Sequence, residues 1–300
     1  MIIRNIPKSF YRKMIGLKNL PPVKYTSQEA SDMIEYGINS ASPFFCGRLG
    51  STELQTMIFA ERAKSFPLNI LLHPFWPGVI TSVHNSSGVF NAEKKTIYEF
   101  TELYKNLMPA IDILGSWHSS ETFFEKELSH CKRIKLGDIG PWLEQDSWLK
   151  SLKDKRVLVV HPFVDTIKTQ YVKRELLFKN PNILPQFKEL LLVKAVQSVA
   201  GEKPDGFDSW FDALYYMKAE MEKVEYDVAL IGCGAYGFPL AAWAKQNGRK
   251  AVLIGGALQL LFGIKGKRWD SIEMHNPHWV SPSAAETPKC HDKVPGSAYW

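Results

Sequence analysis

Three glycines near the carboxyl end of the chain have the spacing of a turn that binds phosphate. Gly232, Gly234 and Gly237 directly follow an apolar run at 227–231, and a helix with an apolar face is predicted at 239–246. Glycine takes backbone angles that other residues avoid, and it lets a ligand approach the bare main chain. Amide groups at the start of the following helix would then face an anion, most often a phosphate.

This glycine spacing does not by itself indicate a nicotinamide dinucleotide. Such a site normally lies in the first strand–helix unit, with an acidic residue about 20 positions further on that binds the ribose. Here the motif begins at residue 232 of 300, and the next predicted strand, at 250–254, runs into Gly255 and Gly256 without an acid. We therefore expect a phosphate-binding or substrate-binding edge and no NAD. Close packing of the helix on the sheet is the alternative explanation.

A group of cations follows on a glycine-flanked loop. Lys265, Lys267 and Arg268 come after a short apolar segment. Ligands of open parallel sheets collect at the carboxyl ends of the strands, so these cations and both glycine turns are expected to meet at one edge. The combination predicts a pocket for a diphosphate, with a solvated basic loop as the alternative.

A second strand–turn–helix unit lies near the amino end of the chain. Residues 43–47 predict a strand, and the residues after it include Arg48, Gly50, Ser51, Thr52 and Glu53. The hydroxyls of Ser51 and Thr52 stand where a helix N-cap is expected, with Glu53 in the first turn. The turn thus offers backbone amides, one guanidinium and one carboxylate for binding. A well-capped helix whose glutamate matches the helix dipole is the alternative.

Two further titratable residues end predicted strands. His161 directly follows the apolar strand at 156–160, and Asp138 follows a strand at 134–136. A histidine titrates near neutral pH, so His161 could orient a substrate or accept a proton from it. The alternative for His161 is a strand end that is hydrogen-bonded to the backbone.

Composition and charge limit the class of protein. The chain is 45% apolar and 23% charged, which is typical of a globular protein, and its net charge is +6. Its four cysteines are too far apart in sequence to form metal-ligand pairs, so a reducing, cytoplasmic compartment is expected. No segment reaches the roughly 20 apolar residues of a membrane span. Basic–aromatic platforms and known reader motifs for nucleic acid are absent from the sequence, so nucleic acid is not expected as a partner.

The basic charge is concentrated in an N-terminal arm at 1–22. Its first twenty residues contain no acid, and their cations are Arg4, Lys8, Arg12, Lys13 and Lys18. These cations alternate with apolar residues, which is typical of a segment that docks on an anionic membrane face. A solvated helix packed on the protein by its apolar stripe is the alternative.

The elements that must position these residues form a regular alternation. About seven short apolar runs alternate with helical patterns over residues 27–262, which predicts a doubly wound, mostly parallel Rossmann-like α/β sheet. Residues 23–300 are expected to form one domain with an aromatic covering tail. The irregular, aromatic-rich segment at 66–90 is interpreted as a lid or substrate loop.

Several of these segments together resemble one enzyme family. The run FCGRLGSTE at 45–53 resembles the R-F-G-D-G-E signature of GT-D-type glycosyltransferases, which have a Rossmann-like fold. The segments at 227–259 and 159–162 and the aromatic tail are similar to later parts of the same class. The resemblance implies a bacterial enzyme that uses nucleotide-diphosphate sugars to build surface polysaccharides, lipid-linked glycans or glycoproteins. It also implies that Gln259 contributes to substrate binding.

The family's D-x-E pair would hold a divalent metal on the diphosphate, and here the resemblance is incomplete. Arg48, Gly50 and Glu53 match the signature, but Ser51 stands at the aspartate position. Mg²⁺ and Mn²⁺ favour carboxylate oxygens over a neutral hydroxyl. Three alternatives are open: Glu53 and water hold the metal, another acid such as Asp138 substitutes, or cations replace the metal.

The main hypothesis is transfer of a sugar from a nucleotide-diphosphate sugar to an acceptor hydroxyl. The glycines, Arg48 and the basic loop would bind the donor, and Glu53 or His161 would act on the acceptor proton. The competing hypotheses are a nucleotide or sugar-phosphate hydrolase and a non-catalytic sugar-nucleotide-binding protein.

Overall fold

Seven parallel strands form a single sheet. The computed structural model describes residues 17–141, 146–199, 202–271, 273–289, 291, 294 and 299–300. The strand order is β3-β2-β1-β7-β6-β4-β5, and every neighbouring pair is parallel. The strands are β1 (Phe44–Gly47), β2 (Ile113–Ser116), β3 (Lys132–Lys135), β4 (Arg156–His161), β5 (Glu189–Lys194), β6 (Val228–Ile231) and β7 (Lys250–Leu253). The predicted α/β class with its parallel sheet is confirmed.

Helices cover both faces of this sheet. The α-helices are α1 (Ser27–Asn39), α2 (Ser51–Arg62), α3 (Leu68–Leu71), α4 (Trp76–Ser87), α5 (Lys94–Leu107), α6 (Glu125–Leu128), α7 (Val164–Tyr171), α8 (Arg174–Leu177), α9 (Trp210–Glu222), α10 (Gly237–Gln246) and α11 (Leu258–Leu261). Short 3₁₀ turns join several of them, among them Leu136–Ile139, Gly234–Tyr236, Gly255–Ala257, Lys267–Trp269 and Ala284–Glu286.

The two faces have separate cores because the strands are buried on both sides. Helices α2, α5, α9 and α10 pack on one core, with Leu54, Ile97 and Ala241 among its members. Helices α1, α7 and α11 pack on the other, which includes Ile34 and Ile167. Where the next strand lies nearer to the β3 edge of the sheet, the connecting segment contributes residues to the first core. Where the next strand lies nearer to the β5 edge, the connecting segment contributes to the second core. This division is what right-handed crossovers require.

The sheet has a topological switch point between β4 and β6. The connection that leaves β4 passes through α7 on one face and reaches β5 at the sheet edge. The connection that leaves β6 passes through α10 on the opposite face and reaches β7 in the other direction. Such diverging connections leave a crevice outside the carboxyl ends of the two strands. β1 and β7 diverge in the same way, because α2 and α11 lie on opposite faces.

Local sequence signals explain most helix starts. Thr26 caps α1, and its capping box with Glu29 is complete. The N-cap of α9 is Ser209, whose hydroxyl accepts a hydrogen bond from the N–H of Asp212.

The segment at 66–90 is helical, so the prediction that it is irregular is wrong. It contains α3, a 3₁₀ turn and all of α4. Trp76 is buried, with its ring centroid 5.0 Å from that of Phe59 and 5.4 Å from that of Tyr98. At least one aromatic residue of this segment is therefore part of the core. The prolines of the segment do not prevent helix formation where they stand in the first turn of a helix.

The carboxyl-terminal tail is docked on the sheet. The buried carboxylate of Glu286 accepts hydrogen bonds from the N–H groups of Asp165 (2.7 Å) and Thr166 (3.2 Å) and from the hydroxyl of Ser283 (2.9 Å). These contacts anchor the tail at the start of α7. Residues 1–16 of the basic N-terminal arm lie outside the described residues, whereas the N–H of Lys18 donates to the hydroxyl of Thr122 at 3.2 Å.

Candidate functional site

The turns after β1 and β7 meet at the carboxyl edge of the sheet. β1 pairs directly with β7, so Arg48 and Gly255 follow neighbouring strands. A methyl group added at Gly255 would lie 3.6 Å from Cδ of Arg48, and the φ of Gly255 is +76°. Only glycine adopts this backbone conformation without strain. The early and late motifs therefore meet at one rim.

Arg48 is a half-buried cation that forms no salt bridge with the residues that the structure describes. Its guanidinium carbon lies 5.0 Å from the ring centroid of Trp117, and the indole N–H of Trp117 donates to the carbonyl of Leu49 at 3.0 Å. Burial lowers the pKa of Arg48, and the charge of Glu53 opposes that shift. Within the described part of the chain, no salt bridge to Arg48 is formed. A partly desolvated guanidinium in this state is suited to binding an anion.

Arg268 lies on the same rim. Its Nη1 donates to the Tyr299 hydroxyl at 3.2 Å, and its guanidinium carbon is 4.9 Å from the Tyr299 ring centroid. Its charge contributes to the lowered pKa of Arg48, so the two cations are close enough to interact. The ring of Tyr299 covers Gly256, where a methyl group would overlap it.

The backbone of the basic loop, at Lys265 and Lys267, lies near this rim. The carbonyl of Lys265 accepts from Nε2 of Gln259 at 2.8 Å, and its N–H donates to the carbonyl of Val280 at 2.7 Å. Lys267 begins the short 3₁₀ turn that carries Arg268, and its side chain is exposed. Of the three predicted cations, Arg268 is the one with side-chain contacts to the site among the described residues.

Glu53 is buried in the first turn of α2. The N-cap of this helix is Gly50 and no side chain caps it, so the prediction that Ser51 or Thr52 is the cap is wrong. The carboxylate folds back over Gly50, where a methyl group would overlap it. Burial raises the pKa of Glu53, while its own backbone N–H, Arg48 and Ser87 oppose that rise. The carboxylate at N3 accepts from its own N–H in the first turn, so this amide needs no hydroxyl cap.

An uncharged pocket lies beside this rim, at the β4–β6 switch point. Its empty space, including the part open to solvent, is about 650 Å³. Its lining includes the end of α4, the residues after β4 and β6, and the docked tail; named members are Ser87, Gly88, His161, Phe163, Ser198, Gly232, Gly234, Tyr236, Gln259, Tyr299 and Trp300. No Asp, Glu, Lys or Arg is among the described residues that line it.

His161 ends β4 and is 2% exposed in the pocket wall. Its Nδ1 accepts the backbone N–H of Phe163 at 3.1 Å, which places the ring proton on Nε2. Burial lowers the pKa of His161 to about 3. The imidazole is therefore neutral at physiological pH, and its geometry suits a hydrogen-bond donor to a ligand better than a proton acceptor.

The three fingerprint glycines have different structural roles. A methyl group at Gly232 would lie 2.7 Å from the carbonyl oxygen of Gly255 and 2.9 Å from Cδ2 of His161. Gly234 has a φ of +58°, and Gly237 packs its bare backbone against Leu253. The N–H of Gly232 donates to Val160 and that of Gly237 to Gly234. Gly232 and Gly234 line the pocket, but two of the amides expected to face a phosphate already have backbone partners.

Gln259 and Asp138 are both buried with an unpaired oxygen. Within the described chain, Oε1 of Gln259 and Oδ2 of Asp138 have no hydrogen-bond partner. Gln259 lines the pocket, and its assignment to substrate binding stays a prediction. Asp138 follows β3, which is separated from β6 by four strand spacings, or about 19 Å. The structure does not place Asp138 with His161 at the pocket.

The residues at the rim do not form a recognisable metal site. Among the residues that the structure describes, no three His, Cys, Asp or Glu side chains are grouped so that they could hold an ion. Glu53 is a single carboxylate that is turned toward its own helix terminus. With a serine at position 51, this donor set does not fit a resident Mg²⁺ or Mn²⁺.

Four residues of the site were not predicted from the sequence: Ser87, Trp117, Tyr299 and Trp300. Ser87 ends α4 immediately before Gly88, whose φ of +77° terminates the helix. The Ser-Ser-Gly ending was the available signal, but nothing local indicated that it faces β6. Trp300 belongs to the aromatic tail that is predicted to cover the domain, but its position in the pocket depends on how the tail folds.

Comparison with protein-family models, with curated proteins and with solved structures gives no match to this chain. Within the described residues, no helix combines the length and apolarity needed to cross a membrane. What the observations support is a parallel α/β fold with two adjoining subsites, one cationic and one uncharged, at the carboxyl edge of its sheet.

Proposed function

We propose that this protein is a glycosyltransferase that moves a sugar from a nucleotide-diphosphate sugar to an acceptor hydroxyl. The observation that carries the proposal is Arg48, a half-buried guanidinium without an ion pair in the described structure, beside an uncharged pocket. A nucleotide-diphosphate sugar has a charged part and an uncharged part in the same way. Its two negatively charged phosphates are joined directly to an uncharged sugar ring that carries hydroxyl groups.

The proposed reaction breaks the bond between the anomeric carbon and the diphosphate oxygen. The acceptor oxygen bonds to that carbon and loses its proton, while negative charge grows on the departing diphosphate. Fixed cations at the leaving group stabilise this charge in the transition state. Arg48 and Arg268 are assigned this role, with Lys265 and Lys267 adding positive charge nearby. No step is assigned to a metal ion.

Glu53 is proposed as the final acceptor of the hydroxyl proton. Its raised pKa makes it a stronger base than an ordinary carboxylate. Ser87 lies between Glu53 and the pocket: it acts on the pKa of that carboxyl and also lines the cavity, although its Oγ makes no regular hydrogen bond in the described structure. The serine hydroxyl gives the proton a route to Glu53.

Calorimetric titration with UDP and GDP sugars, followed by an assay of slow donor hydrolysis, tests the proposal. We expect binding, slow release of sugar, and binding about 10- to 100-fold weaker in an Arg48→Gln variant, since a charged hydrogen bond to phosphate is lost. Arg249→Gln is the matched control. Arg249 precedes β7 at the opposite edge of the sheet and pairs with Glu225 at 2.7 Å, so its loss should leave binding unchanged.

The same experiment separates the competing functions. Cleavage of free nucleotides or sugar phosphates would indicate a hydrolase. Binding without turnover in the presence of any acceptor would indicate a non-catalytic sugar-nucleotide-binding protein, which the serine at position 51 favours. If the Arg48→Gln and Arg249→Gln variants bound the donor equally tightly, the rim would not be part of the donor site.

The acceptor and the location are part of the proposal. The basic arm at 1–22 supports an acceptor on a lipid carrier at the inner face of a membrane, where anionic lipids attract Lys and Arg. Sedimentation with phosphatidylcholine vesicles, with and without phosphatidylserine, tests this point. We expect binding to the anionic vesicles that disappears when the arm's cations are replaced by glutamine.

A further inference from the structure

The pocket beside Arg48 contains a buried acceptor without a partner. The side chain of Gln259 is fully buried, and its Nε2 donates to the carbonyls of Lys265 at 2.8 Å and Tyr299 at 3.1 Å. These contacts fix the orientation of the amide, so the remaining atom is the oxygen. That oxygen has no partner in the described part of the chain. Buried polar groups are nearly always paired, so an unpaired one in a pocket wall points to a bound ligand or water.

Hydrogen-bond donors line the same pocket. His161 has its proton on Nε2, because Nδ1 accepts from Phe163, and Nε2 has no bond to the described residues. The indole N–H of Trp300 is buried and has no partner within the described structure. The residues that line this cavity therefore carry unpaired donors, on His161 and Trp300, and an unpaired acceptor, on Gln259.

The charges around the pocket limit which ligand groups fit. Its described lining has no charged side chain, and His161 is neutral because it is buried, with its Nδ1 accepting the N–H of Phe163. The carboxyl group of Glu53 lies behind the wall and interacts with Ser87. A carboxylate on the ligand would be buried without a counter-ion and could not donate to Gln259. A hydroxyl both donates and accepts, and aromatic walls such as Tyr299 and Trp300 suit the apolar face of a sugar ring.

We propose that this pocket holds the sugar of the donor and selects uncharged sugars over sugar acids. The inference rests on the proposed function, because it takes the donor to be a nucleotide-diphosphate sugar. It extends that function by placing donor selectivity in Gln259, His161 and Trp300, separately from the diphosphate contacts of Arg48 and Arg268.

Paired ligands that differ by one carboxylate test the inference. UDP-glucose and UDP-glucuronate form one pair, GDP-mannose and GDP-mannuronate the other, with UDP and GDP as references in calorimetric titration. In the series that binds, we expect the neutral sugar to bind at least about 10-fold more tightly than its acid, because the acid buries an unpaired charge. If the acid binds as well as the neutral sugar, the inference fails while the nucleotide site stands. If neither UDP nor GDP nor any of their sugars binds, the proposed function fails as well.

A conservative variant locates the selectivity. Gln259 anchors the loop at 264–265 and the tail, so its replacement can unfold the site. Trp300→Phe keeps an aromatic ring but removes the indole N–H together with the second ring, and the control below has the same loss of volume. We expect about 3- to 10-fold weaker binding of the neutral nucleotide sugar, with binding of UDP or GDP unchanged. Trp243→Phe, on α10 against Tyr215, is the matched control and should change neither value. Equal loss of nucleotide and nucleotide-sugar binding in Trp300→Phe, or no loss of either, would overturn the assignment.

Discussion

His161 shows how burial decides the chemistry of a single residue. The sequence places a histidine at a strand end, where it could donate, accept or transfer a proton. In the structure its Nδ1 accepts the N–H of Phe163, and burial lowers its pKa to about 3. The fold therefore stabilises the neutral form with its proton on Nε2, which is the form that donates to a ligand.

This protonation state has a consequence for stability. Because the pKa of His161 is lower in the folded chain than in the unfolded chain, acid favours unfolding below about pH 6.5 and down to about pH 3. We expect this residue to contribute about 2 kcal/mol less to the free energy of unfolding at pH 5 than at pH 7.5. The measurement is urea unfolding across this pH range.

A substitution isolates the histidine from the many carboxyl groups that titrate in the same range. In His161→Asn the amide oxygen can still accept the N–H of Phe163, but the side chain no longer titrates. As the pH falls, the free energy of unfolding of the wild type should decrease more than that of the His161→Asn variant. If the free energies of unfolding of both proteins changed with pH in parallel, His161 would not be held neutral in the folded chain.

Glu53 is the second residue whose environment assigns it a role. Burial raises its pKa, and the carboxylate lies against the helix terminus and faces Ser87. We expect Glu53→Gln to lower sugar transfer about 100-fold or more, because the amide cannot accept a proton, while donor binding changes little. Steady-state kinetics and calorimetry on the same protein measure the two effects. Glu61→Gln, in the last turn of the same helix, should keep full activity; full transfer activity in Glu53→Gln would exclude this carboxyl as the base.

At the scale of elements, Gly232 connects three parts of the site. Its bare backbone allows the end of β6 to approach both the turn after β7 and the His161 ring. We expect Gly232→Ala to lower the free energy of unfolding by about 1–3 kcal/mol, because the methyl group forces these segments apart. Chemical denaturation measures the change, and calorimetry should show weaker donor binding.

Gly137→Ala is the control for this substitution. Gly137 lies in the 3₁₀ turn after β3, and a methyl group there would have no atom within 4 Å. The stability and the donor binding of the Gly137→Ala variant should equal those of the wild type. Equal effects of the two substitutions would mean that close approach at Gly232 does not matter.

At the scale of the whole molecule, the sequence predicts the sheet well because each strand has a local pattern. All seven apolar runs are strands, and the tail is docked as its aromatic residues indicate. Failures occur where long-range contacts decide. The N-cap of α2 needs no hydroxyl because Glu53 folds back, and the segment at 66–90 is helical with Trp76 in the core.

The candidate site was predictable only in part for the same reason. The pairing of β1 with β7 brings Arg48 to Gly255, as convergence of the strand ends required. The strand order moves Asp138 away from the pocket, and no local pattern could reveal that order. Ser87 and Trp300 reach the pocket through packing between residues far apart in the chain.

The central claim is that the cationic rim and the uncharged pocket form one continuous donor site. A crystal structure with the UDP or GDP sugar that binds most tightly tests it most directly. The account predicts the diphosphate in hydrogen-bond contact with Arg48 and the sugar ring between His161 and Gln259. A nucleotide bound at the amino ends of the strands, or phosphates lying away from Arg48, would contradict it.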